Sequence, residues 1–140
     1  MPLINKAVET AGKRLPKVIL PKAHAIFDYV QLAGFTVMGI LFWKKNRRAS
    51  VAAFCCAAAE ATNALLTDYP GGVKDILSFE THGKIDAFMA GAITTLPNLL
   101  GFGSEPQAKH FRIRGGVIAG VTALTKFKAA DTYESEYEVA

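Results

Sequence analysis

Cysteine is scarce in this sequence, and the two cysteines present do not form the usual cysteine-based sites. Cys55 and Cys56 are adjacent and lie inside an apolar stretch. An adjacent pair supplies neither a disulfide framework nor the C-x-x-C spacing of redox and zinc motifs. We therefore interpret both as small packing residues, since free cysteine is usually buried and inert.

The motifs of common enzyme classes are also missing. The chain has no G-x-S-x-G nucleophile elbow, no phosphate-binding G-x-x-x-x-G-K loop and no G-x-G-x-x-G dinucleotide fingerprint. Their absence argues against serine hydrolases, P-loop proteins and nicotinamide-dependent dehydrogenases. We assign no catalytic residue, and we expect a protein without catalytic activity of its own.

Charged side chains are absent from long parts of the chain. Val30–Trp43 and Ala49–Ala59 contain none, although a helix at the surface of a soluble protein normally shows a charge every turn. Hydrophobic residues make up 51% of the chain and are concentrated in four runs. The first three runs approach the roughly 20 residues that a membrane-spanning helix needs. We therefore expect an all-α integral membrane protein, with a soluble helical bundle as the alternative.

The four apolar runs predict a single membrane domain over residues 1–140, folded as a four-helix bundle. The predicted transmembrane helices cover residues 22–43, 49–67, 82–102 and 111–128. A basic turn at residues 44–48 and a loop at residues 101–106 join them into two helical hairpins. Residues 1–21 are expected to form an interfacial segment with an amphipathic helix, and residues 129–140 are expected to form a polar acidic tail.

The formal net charge of +4 does not indicate nucleic-acid binding. The lysines and arginines cluster at the ends of the apolar runs and form no patch interleaved with aromatic residues. Membrane lipids are the expected partners, together with a membrane-protein partner or a second copy of the chain. Residues 1–22 lack the unbroken apolar core of a cleavable signal peptide, so the first spanning helix is expected to direct insertion.

A short pattern occurs twice, at the start of the first and third apolar runs. His24 and Asp28 are four residues apart, as are His82 and Asp86, and a shift of 58 residues superposes the two pairs. Since the chain contains only three histidines, two matched pairs are not expected by chance. We interpret the two hairpins as pseudo-repeats in the same orientation. The match fades in the second helix of each half, so the expected symmetry is partial.

The two His/Asp pairs belong to a larger group of polar residues at one end of the predicted bundle. The first and third helices begin at this end, and the second helix ends there. Glu60, Asn63 and Thr67 recur at helical spacing and are expected to face inward. The candidate polar or ligand cluster comprises His24, Asp28, Glu60, Asn63, Thr67, Asp68, His82 and Asp86.

Three interpretations of this cluster are open. In the first, which we expect, charge-assisted hydrogen bonds tie the helices together in a structural or interaction protein, such as a subunit of a larger membrane assembly. In the second, the chain is a metal-binding protein or a metal-dependent membrane hydrolase. The candidate ligands of a divalent metal are His24, Asp28, Glu60, His82 and Asp86. In the third, the cluster belongs to a pathway for protons or a small solute.

Three segments point to a family. They are His24-Ala-Ile-Phe-Asp-Tyr29, Leu65-Leu-Thr-Asp-Tyr-Pro-Gly-Gly72 and Leu96-Pro-Asn-Leu-Leu-Gly-Phe102. With them, about residues 23–126 of the chain resemble the SPW-repeat family of small bacterial membrane proteins, although Thr95-Leu-Pro-Asn98 stands where Ser-Pro-Trp would be. The resemblance implies a four-helix protein of the bacterial cytoplasmic membrane, built of two hairpins, in a family whose biochemical role is largely undefined.

Overall fold

The structure, a computed structural model, describes residues 15–128 and consists of four helices. They are α1 (Pro21–Phe42), α2 (Arg47–Leu65), α3 (Phe79–Leu99) and α4 (Ala108–Leu124). This described part contains no β-strand, only two isolated bridges. The predicted all-α architecture with four helices is therefore confirmed. The predicted amphipathic helix before residue 15 and the acidic tail, residues 129–140, lie outside the described residues.

Local sequence features determine where the first three helices begin. Pro21 opens α1, where a missing backbone N–H costs nothing and the fixed φ angle suits the helix. Asn46 caps α2, because its side-chain oxygen accepts a hydrogen bond from the backbone N–H of Ala49. Ser78 caps α3 in the same way, through the backbone N–H of Thr81. The caps satisfy donors that the first turn leaves unpaired.

The helices form two hairpins with a common core. α1 packs against α2, α3 packs against α4, and α2 with α3 makes a smaller contact between the hairpins. Phe35, Phe102 and Phe111 are fully buried in the core. Alanines of α2 fill the remaining space, and their small side chains allow neighbouring helices to approach closely.

The ends of the two hairpins make matching backbone contacts. The segment before α1 pairs with the segment after α4 through a bridge between Ile19 and Thr125. The two ends of the α2–α3 linker pair in the same way, through Thr67 and Leu77. Leu77 lies 58 residues after Ile19, and Thr125 lies 58 residues after Thr67. The same spacing separates the two His/Asp pairs. The start of each hairpin is therefore held by the end of the other.

One helix in the described part of the chain, α1, is long and apolar enough to cross a membrane. Its outer face is apolar, since Ile26, Val30, Ile40 and Leu41 are each 60–62% exposed. α2, α3 and α4, at the positions of the other three predicted spans, do not reach the same combination of length and hydropathy. A core helix of a soluble bundle also reaches this length and hydropathy.

Two neighbouring glycines of α4 test its contact with α3. A Cβ on Gly115 would lie 2.1 Å from Thr94 Oγ1 and 2.7 Å from the backbone oxygen of Ala90. We expect Gly115→Ala to lower the free energy of unfolding by about 1–3 kcal/mol, because the α3 backbone must move to accept the methyl group. Thermal unfolding followed by circular dichroism measures the change.

The matched control is Gly116→Ala, because a Cβ at this position would meet no atom within 4 Å. This variant should be neutral or stabilised by up to about 1 kcal/mol, since alanine has the higher helix propensity. Equal stabilities for the two variants would contradict the close approach of α3 and α4.

Candidate metal centre

The first turns of α1 and α3 bring two histidines and two aspartates together. His24 and Asp28 lie one turn apart on α1, and His82 and Asp86 lie one turn apart on α3, so each pair shares a helix face. All four residues are buried, with 1–4% of their surface exposed. Donor atoms from all four lie within 4.8 Å of one another. Two pairs that are distant in sequence thus form a single site.

The imidazole Nε2 atoms of His24 and His82 lie at the centre of this site, 3.2 Å apart. Asp86 Oδ2 is 3.0 Å from each of them. Asp28 spans the pair with its two oxygens, since Oδ1 is 3.3 Å from His24 Nε2 and Oδ2 is 3.2 Å from His82 Nε2. Each histidine therefore contacts both aspartates, the one on its own helix and the one on the other.

Two threonine hydroxyls determine where the imidazole hydrogens lie. Thr125 and Thr67 each donate their hydroxyl hydrogen to the backbone carbonyl four residues earlier, at 2.7 and 2.6 Å. Their oxygens are 2.8 Å from Nδ1 of His24 and of His82, respectively. Because a hydroxyl has one hydrogen, each threonine must accept from the Nδ1–H of its histidine. When both imidazoles are neutral and carry their hydrogen on Nδ1, both Nε2 lone pairs point to the centre of the site.

The aspartate oxygens also accept hydrogen bonds from other side chains. The Tyr69 hydroxyl donates to Asp28 Oδ2 at 2.8 Å, and Asn63 Nδ2 donates to Asp86 Oδ1 at 2.9 Å. Burial, followed by the adjacent Asp28 carboxylate, raises the pKa of Tyr69, so the phenol keeps its proton and remains a donor. Hydrogen bonds of this kind orient the ligands of metal sites.

Aromatic rings enclose the two imidazoles. Phe79 and Phe127 lie edge-on to His24, with ring centroids 5.3 and 5.4 Å away. Tyr69 and Phe79 lie 5.2 and 5.8 Å from the His82 ring. These rings exclude water from the imidazoles, and electrostatic interactions inside the site are correspondingly strong.

This arrangement requires a positive charge at its centre. In the neutral tautomers, two nitrogen lone pairs and two carboxylates face one another, and such groups repel each other. The ion pairs that these two aspartates make within residues 15–128 are all with the two histidines. Either a proton on an imidazole or a metal cation therefore balances the buried negative charge.

The structure distributes the other sequence-predicted residues around this centre. Asn63 and Thr67 touch it through the hydrogen bonds described above. Glu60 is buried and lines a narrow crevice beside it, but its carboxylate is not among the donor atoms that lie within 4.8 Å of one another. Asp68 is exposed at the end of the bundle. The four residues that meet directly are therefore the two His/Asp pairs.

The crevice beside the site has an unusual polar lining. Glu60 is 3% exposed, and its Oε1 has no hydrogen-bond partner in the described part of the chain. Thr122 lines the same crevice from α4, and its hydroxyl also has no partner there. Buried polar atoms without partners are costly. The crevice therefore places one unused acceptor and one unused hydroxyl next to the His/Asp group.

Two site residues, Thr125 and Tyr69, were not expected from the sequence patterns. Thr125 follows Thr67 by 58 residues, so extending the repeat beyond the second helix would have found it. Tyr69 carries no such signal, because the position 58 residues later is Phe127, which has no hydroxyl. The contact between Tyr69 and Asp28 is evident only in the folded chain.

Comparisons with known proteins assign neither a family nor a function to the chain. No protein-family model, no curated protein and no solved structure matches the chain. The resemblance to SPW-repeat proteins therefore stays a prediction.

Removing either threonine hydroxyl should leave a buried imidazole N–H without its acceptor. We expect Thr67→Val and Thr125→Val each to lower the free energy of unfolding by about 1–3 kcal/mol. Thr62→Val is the matched control, because its exposed hydroxyl also bonds to a backbone carbonyl but has no histidine partner. Thermal unfolding of the three variants in a chelating buffer makes the comparison. Equal losses in all three would show that the hydroxyls do not serve the histidines.

Proposed function

We propose that this chain is a small membrane protein that binds one divalent transition-metal ion between two histidines and two aspartates, with zinc as the best match. One observation carries the proposal: the two Nε2 atoms lie 3.2 Å apart, each has an oxygen of both aspartates at 3.0–3.3 Å, and one donor atom from each of the four residues lies within 4.8 Å of the others. A tetrahedral ion with ligand distances of about 2.0–2.1 Å holds its ligands about 3.3 Å apart. The separations that involve the two nitrogens are close to that value.

The charges of the four side chains also suit a divalent cation. The two carboxylates carry two negative charges, and neutral imidazoles carry none, so a divalent ion makes the site neutral. A neutral group is far less costly to bury than an isolated charge. Imidazole and carboxylate ligands suit zinc, iron and manganese, and four ligands in a tetrahedral arrangement favour zinc.

A closed set of four protein ligands is typical of a structural metal site. The ligands come from α1 and α3, which belong to different hairpins. The main helix contact between the two hairpins is that of α2 with α3, which is smaller than the helix contacts within each hairpin. The bound ion would therefore tie the two hairpins together. In this proposal the protein has a structural or interaction role, and the metal is the physical basis of that role.

The pseudo-repeat supports the same proposal. Each half supplies one histidine, one aspartate and one threonine to the site, at positions related by 58 residues. The backbone bridges at the hairpin ends follow the same spacing. We infer that two copies of one hairpin form a single metal site between them, with a pseudo-symmetry axis along the bundle.

Membrane location is supported by the outer surface of the bundle. Large apolar side chains are exposed on all four helices, among them Val30 and Leu41 on α1, Val51 on α2, Phe88 and Leu99 on α3 and Ile113 on α4. Single exposed apolar residues are common in soluble proteins, but residues spread around a whole bundle suit a lipid environment. The resemblance to SPW-repeat proteins points to the bacterial cytoplasmic membrane.

A proton-handling site is the second candidate, because one observation favours it as well. A hydrogen on one imidazole Nε2 would also hold His24 and His82 at 3.2 Å, with the aspartates as counter-charges. Such a site suits a proton or small-solute pathway, and it also suits the charge-assisted hydrogen bonds that tie helices together. Metal content distinguishes the two candidates.

Elemental analysis of the purified full chain tests the metal site. We expect one zinc per wild-type chain and none in His24→Ala/His82→Ala, because both nitrogen ligands are lost. His110→Ala is the matched control, since His110 is exposed on α4 and is not part of the donor group. Asp28→Asn/Asp86→Asn provides a second test, because it removes both negative charges with little change in shape. Wild-type protein that purifies folded but without metal would overturn the metal proposal and favour a shared proton.

Fractionation of expressing cells tests the membrane location separately. We expect the chain to remain in the membrane pellet after an alkaline carbonate wash, because its apolar surface lies in the bilayer. Chain released into the soluble fraction would contradict membrane insertion and leave the metal site untouched.

A further inference from the structure

A groove between α3 and α4 opens at the same end of the bundle as the metal site. Its volume is about 640 Å³. Gly83 and Ala87 of α3, Thr122 of α4 and the Phe127 ring form its floor. The ring lies over Gly83, where a Cβ would be 2.6 Å from it. The floor is therefore largely apolar, and its shape depends on the absence of a side chain at Gly83.

Four lysines from three parts of the chain surround this groove. Lys17 precedes α1, Lys84 lies on α3, and Lys126 and Lys128 follow α4. The lining has one carboxylate, Glu80, whose Oε1 lies 3.4 Å from Lys84 Nζ. Four lysines against one glutamate leave a net charge of +3 around an apolar floor. This combination suits a ligand with an anionic head and an apolar body.

The corresponding place in the first hairpin is filled by the chain itself. The residues 58 positions before Gly83 and Ala87 are Ala25 and Tyr29. Gly71 lies against both of them, since the Tyr29 hydroxyl donates to its carbonyl oxygen at 2.6 Å and a Cβ on Gly71 would be 2.9 Å from that of Ala25. The position 58 residues after Gly71 is 129, which lies outside the described residues, and the groove of the second hairpin is described up to Lys128.

We propose that this groove binds an acidic phospholipid, with the phosphate among the lysine ammonium groups and an acyl chain along α3. Basic pockets between helices at a membrane surface bind acidic lipid headgroups. Gly91 continues the face of Ala87 by one turn, and a Cβ there would meet no atom within 4 Å, which leaves room for the acyl chain. The inference rests on the proposed membrane location but not on the metal.

The lipid would also cover one side of the metal site. Thr125 lines the groove, and its hydroxyl accepts the hydrogen bond from His24 Nδ1. An acyl chain over this residue shields the hydrogen bond from water and so preserves the orientation of the imidazole.

Native mass spectrometry of the detergent-solubilised full chain tests the inference, with added phosphatidylglycerol or phosphatidylcholine of identical acyl chains. We expect phosphatidylglycerol to be retained preferentially, and Lys84→Ala/Lys126→Ala to weaken its binding by about tenfold or more. Lys44→Ala/Lys45→Ala is the matched control, because it removes the same charge at the other end of α1 and should leave binding unchanged. Gly91→Leu, which fills the acyl path, should also weaken binding.

Equal retention of the two lipids, or equal effects of the two lysine pairs, would overturn the inference. Displacement of the lipid by inorganic phosphate at comparable concentration would assign the site to free phosphate. Selective binding that occurs only after neutralisation of the acidic residues in 129–140 would make that segment the occupant. Metal content measured on the same samples separates failure of this inference from failure of the metal site, and carbonate fractionation separates it from failure of the membrane location.

Discussion

Two buried nitrogen atoms, His24 Nε2 and His82 Nε2, face each other at 3.2 Å, and the arrangement of this end of the bundle depends on what holds them there. The Nδ1–H groups of the same imidazoles point outward to threonine hydroxyls, and two carboxylates complete the ring of acceptors. The nitrogen lone pairs and the carboxylates would repel one another, and a cation at the centre attracts them all. Because the donors belong to different hairpins, the same charge that completes the site also joins the two halves of the fold.

The two halves contribute equally to the ligands but unequally to their surroundings. Both side chains that donate to the carboxylates come from the first half, Asn63 and Tyr69. The positions 58 residues later are Val121 and Phe127, which cannot donate. The carboxylates therefore receive hydrogen bonds from residues of the first half but not from the corresponding positions of the second. The symmetric part sets the donor geometry, while the buried Glu60 of the crevice has no polar counterpart, because the position 58 residues later is Ile118.

The helical architecture was predictable because its causes are local. Apolar runs, Pro21 at the start of α1 and the caps at Asn46 and Ser78 act within a few residues of one another, and all are visible in the sequence. Membrane location is harder to read from the same pattern. α2 and α3 carry polar residues of the site, and these reduce the hydropathy of the helices that hold them.

The sequence alone determined that each histidine shares a helix face with an aspartate, because a spacing of four residues has one geometric meaning in a helix. It also placed both pairs at the same end of the bundle. Only the tertiary structure decided which polar residues meet: Glu60 lies in the crevice, Asp68 faces outward, and Thr125 and Tyr69 join the site. The position of Glu60 depends on how α2 is rotated about its axis against its neighbours, and residue spacing within one helix does not contain that rotation. Asp68, Tyr69 and Thr125 lie just beyond helix ends, where contacts with distant segments set the path of the chain.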